Sequence, residues 1–141
     1  MDFSSVTVSF FIHSTEDEER LLNLVQSKLG LESEEVSKER IAGHFGNEIV
    51  SVKAHVIGSR AQVVATQIFG SLSKLARTSI REELEKSLDE HDALYLRLDR
   101  QSLLESSISL SDEEPIRIKL KPKSRGGGRQ LVRLGYQELI G

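Results

Sequence analysis

The feature that most constrains the fold is a two-residue alternation of apolar and polar side chains, which recurs in four separate stretches. Such alternation is typical of strands that bury one face, because successive side chains of a strand point to opposite sides. A fifth and more polar stretch, Val36–Ile41, is expected to form a peripheral strand. The four alternating stretches are Val6–His13, Val50–Val56, Leu94–Asp99 and Ile116–Lys121. The pattern predicts a sheet with one covered face and one open face.

Two regions in which apolar residues recur at helical spacing supply the covering layer. The first is expected to begin after Thr15 as N-cap and to end at Gly30, a typical C-terminal residue of a helix. The second begins near Arg60, with a break expected near Arg77 and a further helix through Leu88. We therefore predict an α+β fold: a single antiparallel or mixed sheet of four to five strands, with two to three helices packed on one face.

The composition excludes several classes of protein. The chain has 141 residues, of which 38% are hydrophobic and 29% are charged, as expected for one folded domain. It contains no cysteine, which excludes disulfides, thiolate metal sites and thiol nucleophiles. No apolar run approaches the roughly 20 residues of a membrane helix, and the N-terminal residues lack the pattern of a secretion signal. We expect a cytoplasmic protein.

The charge of the chain is segregated. Residues 115–141 carry seven basic residues and one acidic residue, a balance of +6 that leaves −9 on residues 1–114 at a net charge of −3. A basic segment favours nucleic-acid binding despite the acidic total. Three consecutive glycines make residues 122–141 a predicted flexible, basic segment that follows a single domain over residues 1–121. Within it, Leu131–Ile140 is expected to add a short ordered segment, with ordering only on contact with a partner as the alternative. Arg125 and Arg129 would contact phosphates there, and a merely solvated tail is the alternative.

The polar sides of the four strands form a candidate binding face if the strands share one sheet. Lys and Arg neutralise phosphates, and aromatic side chains such as Phe11 and Tyr95 stack on unpaired bases. The alternative is an ordinary solvated face on which Phe11 is covered by a loop or by another chain. The candidate residues of this face are Lys53, His55, Arg97, Lys119 and Lys121.

A glycine-rich loop, Gly43–Asn47, precedes the second alternating strand and contains His44 and Phe45. Three interpretations are open. The backbone N–H groups of the turn bind an anion such as phosphate; the two exposed side chains stack on or position a base; or the loop is a tight hairpin turn whose Phe45 packs into the core.

No catalytic constellation is present in the sequence. The four histidines lack metal-ligand spacing, and there is neither a nucleophile elbow nor a dinucleotide fingerprint. We predict no enzymatic activity, no catalytic residue, no metal site and no cofactor. One alternative requires His13 and His55 to be neighbours across the sheet, where Glu48 or Asp99 would complete a metal or acid–base site.

Three blocks of the sequence, His13–Glu19, Gly43–Ile49 and Leu94–Gln101, resemble one family. Its members are small archaeal proteins described as predicted RNA-binding proteins or exosome-related subunits, long regarded as a domain of unknown function. The resemblance extends roughly from Val6 to Lys121. It implies a fold similar to that of ribosomal protein L5 and to a double-stranded-RNA-binding domain.

The chain departs from the family pattern at three positions. Phe45 stands where a second histidine is common, Leu98 where phenylalanine is common, and Arg100 where lysine is common. The missing histidine weakens the case for a metal site.

The resemblance implies that the protein binds RNA, as an accessory factor in RNA processing or degradation. The basic face and the Gly43–Asn47 loop would contact the phosphate backbone, and His44 and Phe45 would stack on or position a base. The alternative is a protein-interaction or dimerisation module without catalytic activity. In that case Phe11 and Tyr95 would be buried against a partner, which includes a second copy of the chain.

Overall fold

One antiparallel sheet organises the structure. The computed structural model describes residues 1–43, 46–123 and 128–141. Its strands are β1 (Phe3–His13), β2 (Val36–Ala42), β3 (Glu48–Ile57), β4 (Leu94–Leu98) and β5 (Ile116–Pro122). They lie in the order β2-β3-β1-β5-β4, so the first strand of the chain is the centre of the sheet. The predicted α+β fold with a single sheet is confirmed.

The predicted alternation produces two-faced strands. In β3, for example, Val50 and Val52 are at most 4% exposed, whereas Lys53 and His55 are open to solvent. The apolar faces of β1, β4 and β5 are buried in the same way. No residue of β2 is fully buried, in line with the peripheral position predicted for this strand.

Helices cover the apolar face of the sheet. Those in the described ranges are α1 (Glu18–Leu29), α2 (Gly58–Ser71), α3 (Lys74–Glu82), α4 (Leu84–Ser87) and α5 (Gly128–Ile140). Helix α2 packs on β1 and β3, and α1 packs beside α2. Within the same ranges, no helix has the length and apolar character needed to cross a membrane.

Helix α1 starts at a different cap from the one predicted. The N-cap is Asp17, whose carboxylate accepts the Arg20 N–H at 3.2 Å, and not Thr15. The acid at position 16 is used elsewhere, because the Glu16 carboxylate accepts the N–H of His13 at 2.9 Å and closes the turn that precedes the helix. The predicted end is confirmed: Gly30 adopts a φ of 76°, in the left-handed region that favours glycine.

The helical region after β3 breaks at Leu72–Ser73, so the break predicted near Arg77 is wrong. The Ser73 hydroxyl accepts the N–H of Ala76 at 3.1 Å and thereby caps α3. The Ser73 N–H donates to the carbonyl of Ile108 at 2.8 Å, and Leu72 forms a parallel bridge with Ile108. This long-range pairing ends the helix at Ser71, a position that the spacing of apolar residues did not indicate.

The C-terminal residues from Gly128 form a helix packed on the core, whereas a mainly flexible segment with a short ordered part over residues 131–140 was expected. The ring centre of Tyr136 lies 6.1 Å from that of Phe3, and its hydroxyl donates to the carbonyl of Asp92 at 2.9 Å. Burial raises the pKa of Tyr136, and the nearby carboxylate of Asp92 adds to the effect. The burial of Tyr136 and Ile140, four residues apart on one helix face, thus stabilises a helix although glycines precede it. The expected flexibility of residues 124–127 lies outside the described residues.

Docking of α5 predicts a large difference between two substitutions on that helix. Tyr136→Ala is expected to lower the free energy of unfolding by about 3–5 kcal/mol, because it empties a buried site. Leu134→Ala, at a position that is 53% exposed, is expected to cost less than about 1 kcal/mol. Urea denaturation of both variants measures the difference, and similar small losses for both would contradict a docked helix.

Candidate nucleic-acid interface

The polar faces of β1, β3, β4 and β5 lie side by side on the uncovered side of the sheet. Neighbouring strands are about 4.8 Å apart. Lys53 on β3 and Arg97 on β4 are three strand spacings apart in one cross-strand row, which makes their separation roughly 14 Å. Lys121 lies beside Ser5, one row beyond Lys119. Cross-strand pairing defines the two main rows: His55, Thr7, Lys119 and Tyr95 in one, and Lys53, Ser9, Arg117 and Arg97 in the other.

The structure thus brings together the predicted residues Lys53, His55, Arg97, Lys119 and Lys121 on one face. The predicted set omitted Arg117, although it obeys the same alternation and lies within a row. Sequence alternation alone was enough to include it. We refer to these six side chains as the basic face.

Most cations of the basic face lack an acidic partner. Within the described ranges, no carboxylate lies within 4.0 Å of the side-chain nitrogens of Lys53, Arg117 or Lys121. Arg97 Nη1 is 3.1 Å from Asp112 Oδ1, but these side chains are 61% and 87% exposed, so the pair is weak and can be exchanged for another anion. The face therefore offers uncompensated positive charge to a ligand.

Tyr95 is held in place at the edge of the basic face. Its ring centre lies 5.7 Å from Lys119 Nζ, and its hydroxyl donates to Asp89 Oδ2 at 3.0 Å. Partial burial acts to raise the pKa of Asp89, but hydrogen bonds from the N–H groups of Ala93 and His91 and from the Tyr95 hydroxyl outweigh it and lower that pKa. The ring remains 46% exposed and forms an accessible, oriented aromatic surface.

Arg100 ties the end of β1 to the loop that precedes β5. Its guanidinium donates to the carbonyl oxygens of Phe11 at 3.0 Å and Glu114 at 2.8 Å, and to both Glu16 carboxylate oxygens at 3.0 and 3.1 Å. The side chain is only 13% exposed. Two of the blocks that carry the family resemblance therefore meet here, in a contact that holds the fold together. His13 lies beside this contact and pairs with Glu114.

The Gly43–Asn47 loop is described only at its ends, because His44 and Phe45 lie outside the described residues. The roles assigned to these two side chains stay predictions. At the base of the loop the Gly43 N–H donates to the carbonyl of Asn47. A Cβ atom at position 43 would lie 2.6 Å from that carbonyl oxygen, so this close approach requires glycine.

Of the two tail arginines, Arg129 is not part of the cross-strand rows. Arg125 lies outside the described residues. Arg129 lies on α5, where its Nε is 3.8 Å from Asp92 Oδ1 and its Nη2 is 3.5 Å from the carbonyl of Leu88. Its contacts join α5 to the turn that precedes β4.

The alternative of a site shared by His13 and His55 is wrong. The strand register places His13 opposite Ile49 and His55 opposite Thr7, which puts the two imidazoles about 20 Å apart along β1. His55 Nδ1 instead lies 2.8 Å from Thr7 Oγ1. Within the part of the chain that the structure describes, no three His, Asp or Glu side chains are grouped as metal ligands would be.

Comparison with known proteins points to one family. A family model described as RNA binding matches residues 5–122. RNA-binding protein PAB1135 from Pyrococcus abyssi is 30% identical over 129 residues, which make up 85% of this chain and 82% of that protein. The description of the family refers to binding and not to a reaction.

Solved structures with a similar fold extend over nearly the whole chain. Protein AF2318 from Archaeglobus fulgidus, of the DUF54 family, has a TM-score of 0.77 at 26% identity and covers 98% of this chain and 99% of that one. Mth689, a DUF54 protein from Methanothermobacter thermautotrophicus, has a TM-score of 0.77 at 20% identity and covers 99% and 98%. The second likeness concerns the fold alone. The links to ribosomal protein L5 and to an exosome stay predictions.

The Arg100 contact predicts a stability loss even for a conservative change. Arg100→Lys is expected to lower the free energy of unfolding by about 2 kcal/mol. A single ammonium group cannot reach all three acceptors of the planar guanidinium, which are the Phe11 and Glu114 carbonyls and the Glu16 carboxylate. The control is Arg97→Lys, whose exposed pair with Asp112 predicts a loss below about 1 kcal/mol. Urea denaturation measures both, and equal losses would contradict the structural role of Arg100.

The lowered pKa of Asp89 predicts a pH-dependent contribution to stability. A carboxyl group with a depressed folded-state pKa stabilises the fold above its unfolded-state pKa of about 4, and this stabilisation disappears as the pH falls through the folded-state value. The difference in unfolding free energy between wild type and Asp89→Asn is therefore expected to be larger at about pH 6 than at about pH 3. A difference in unfolding free energy between the two proteins that grows as the pH falls would contradict this prediction.

Proposed function

Because the chain belongs to the family described as RNA binding, we propose that it binds RNA through the basic face of its sheet. The observation that carries the proposal is the alignment of five Lys and Arg side chains, most of them without an acidic partner in the described ranges, on one uncovered surface. These side chains are Lys53, Arg97, Arg117, Lys119 and Lys121.

The contacts are proposed to be mainly with phosphates. Lysine and arginine neutralise phosphates without reading the base sequence, and the counterions that they displace supply much of the affinity. Lys53 and Arg117 are in the same row and are separated by one strand, so a backbone that crosses the sheet meets both. His55 adds a hydrogen-bonding group to the next row.

The finer parts of the proposal concern the loop and the tail. We propose that His44 and Phe45 stack on or position a base at one end of the sheet, and that Arg125 adds a non-specific phosphate contact. Arg129 contributes in this scheme only if its interaction with Asp92 is exchanged for one with a phosphate. Binding without catalysis is compatible with an accessory role in RNA processing or degradation, which is the role that we propose.

Charge removal on the basic face is expected to change both affinity and salt dependence. Lys53→Ala combined with Arg117→Ala is expected to weaken binding of single-stranded RNA about tenfold at low salt and to reduce the slope of log K against log salt by roughly 1.4, since each lost phosphate contact accounts for about 0.7. Fluorescence anisotropy across a salt series measures both quantities.

The matched control is Lys74→Ala combined with Arg20→Ala, which removes the same charge from exposed positions on α3 and α1. This pair is expected to leave the slope unchanged. Equal effects of the two double variants, or a flat response of wild type to salt, would contradict the proposed interface. A stable dimer in light scattering, together with no detectable binding of RNA, would favour the protein-interaction alternative.

A further inference from the structure

A polar cleft adjoins the basic face at the outer edge of β4. It has a volume of about 470 Å³ and lies between that strand, the α3–α4 region and the loop that follows Leu110. Tyr95 and Arg97 line it and also belong to the rows of the open face. A chain bound on the open face therefore reaches the cleft by passing over a single strand.

The cleft presents hydrogen-bonding groups that the fold does not use. The carboxylate of Glu83, the ammonium of Lys86 and the hydroxyls of Ser79 and Ser87 line it, and none of these side-chain groups has a hydrogen-bond or ion-pair partner among the residues that the structure describes. Donors and acceptors are therefore both available. Glu83 and Lys86 are also exposed, so they can adjust to a ligand.

Tyr95 supplies an oriented ring at the rim of the cleft. Lys119 approaches the ring, and the hydrogen bond to Asp89 limits its rotation. A planar ligand can stack on the ring face that Lys119 leaves free. Because the ring is already held in place, stacking costs little additional conformational entropy.

We propose that this cleft receives one unpaired base of a single-stranded RNA whose phosphates lie on the basic face, an inference that rests on the proposed function. Tyr95 stacks on the base, and the Glu83 carboxylate accepts a hydrogen bond from an exocyclic amino group. Carboxylate acceptors of this kind select cytosine N4 over the carbonyl oxygen at the same position of uracil. The cleft thus favours a base that carries an amino group.

The mixed charge of the cleft argues against a phosphate as its occupant. Glu83 and Asp112 would repel a phosphate group there, whereas the neighbouring basic face attracts one. A base carries no net charge and presents donors and acceptors on one edge, which matches the groups around the cleft. Only an unstacked base reaches such a site, so duplex RNA is excluded from it.

The test compares oligocytidylate and oligouridylate of about ten nucleotides, a length in the range that one small domain covers. Wild type is expected to bind oligocytidylate about fivefold or more tightly, as one specific base contact would give. Glu83→Gln, whose amide both donates and accepts, is expected to bring this ratio towards one while the salt slope stays unchanged. The matched control Glu82→Gln, one position away and outside the cleft, is expected to retain the ratio.

A second pair of variants tests the stacking. Tyr95→Ala is expected to weaken binding of oligocytidylate about fivefold or more and to leave binding of a blunt RNA duplex unchanged, whereas Tyr95→Phe retains most of the single-strand affinity. A cytidine-to-uridine ratio near one in wild type, together with normal salt-dependent binding, would overturn the base site and leave the RNA-binding proposal intact. Loss of salt-dependent RNA binding altogether would overturn the proposed function itself.

Discussion

The register of β1 against its two neighbours is the constraint on which the rest of the structure depends. Thr7 lies opposite His55 on one side and Lys119 on the other, and Ser9 lies opposite Lys53 and Arg117. A slip of one residue would exchange the faces of the slipped strand and move its apolar side chains into solvent. The register therefore determines both the burial of the core and the alignment of the cations.

The local sequence pattern predicted the strands well, because in a half-buried strand every second side chain is apolar and faces the core. The same alternation predicted the open face for Lys53, His55, Arg97, Lys119 and Lys121, and it applies equally to Arg117, which the predicted set omitted. It did not contain the register of β1 against β3, which decides that His13 and His55 lie apart. The break at Ser73 depends on pairing with Ile108, and the docking of α5 depends on a buried site for Tyr136; neither partner is near in sequence. Local propensity cannot anticipate such long-range partners.

The distribution of charge explains how a chain with a net charge of −3 offers a cationic surface. Acidic side chains concentrate at the start of α1 and around the loops, where Glu16 and Glu18 are paired with Arg100, Lys38 and Arg40. Most cations of β3 and β5 have no such partner within the described ranges. Segregation of this kind produces a local field that attracts an anion although the total charge is negative.

The central position of the first strand has a consequence for the way the chain is made. β1 is synthesised before the other strands of the sheet, but β5, which pairs along one of its edges, comes more than a hundred residues later. Until residues 116–122 emerge, the nascent sheet has an unpaired edge that runs along its central strand. Such edges pair readily with other chains. The late strand that carries Arg117, Lys119 and Lys121 therefore also fills the place between β1 and β4. The basic face is completed in the same step that pairs the exposed edge of β1.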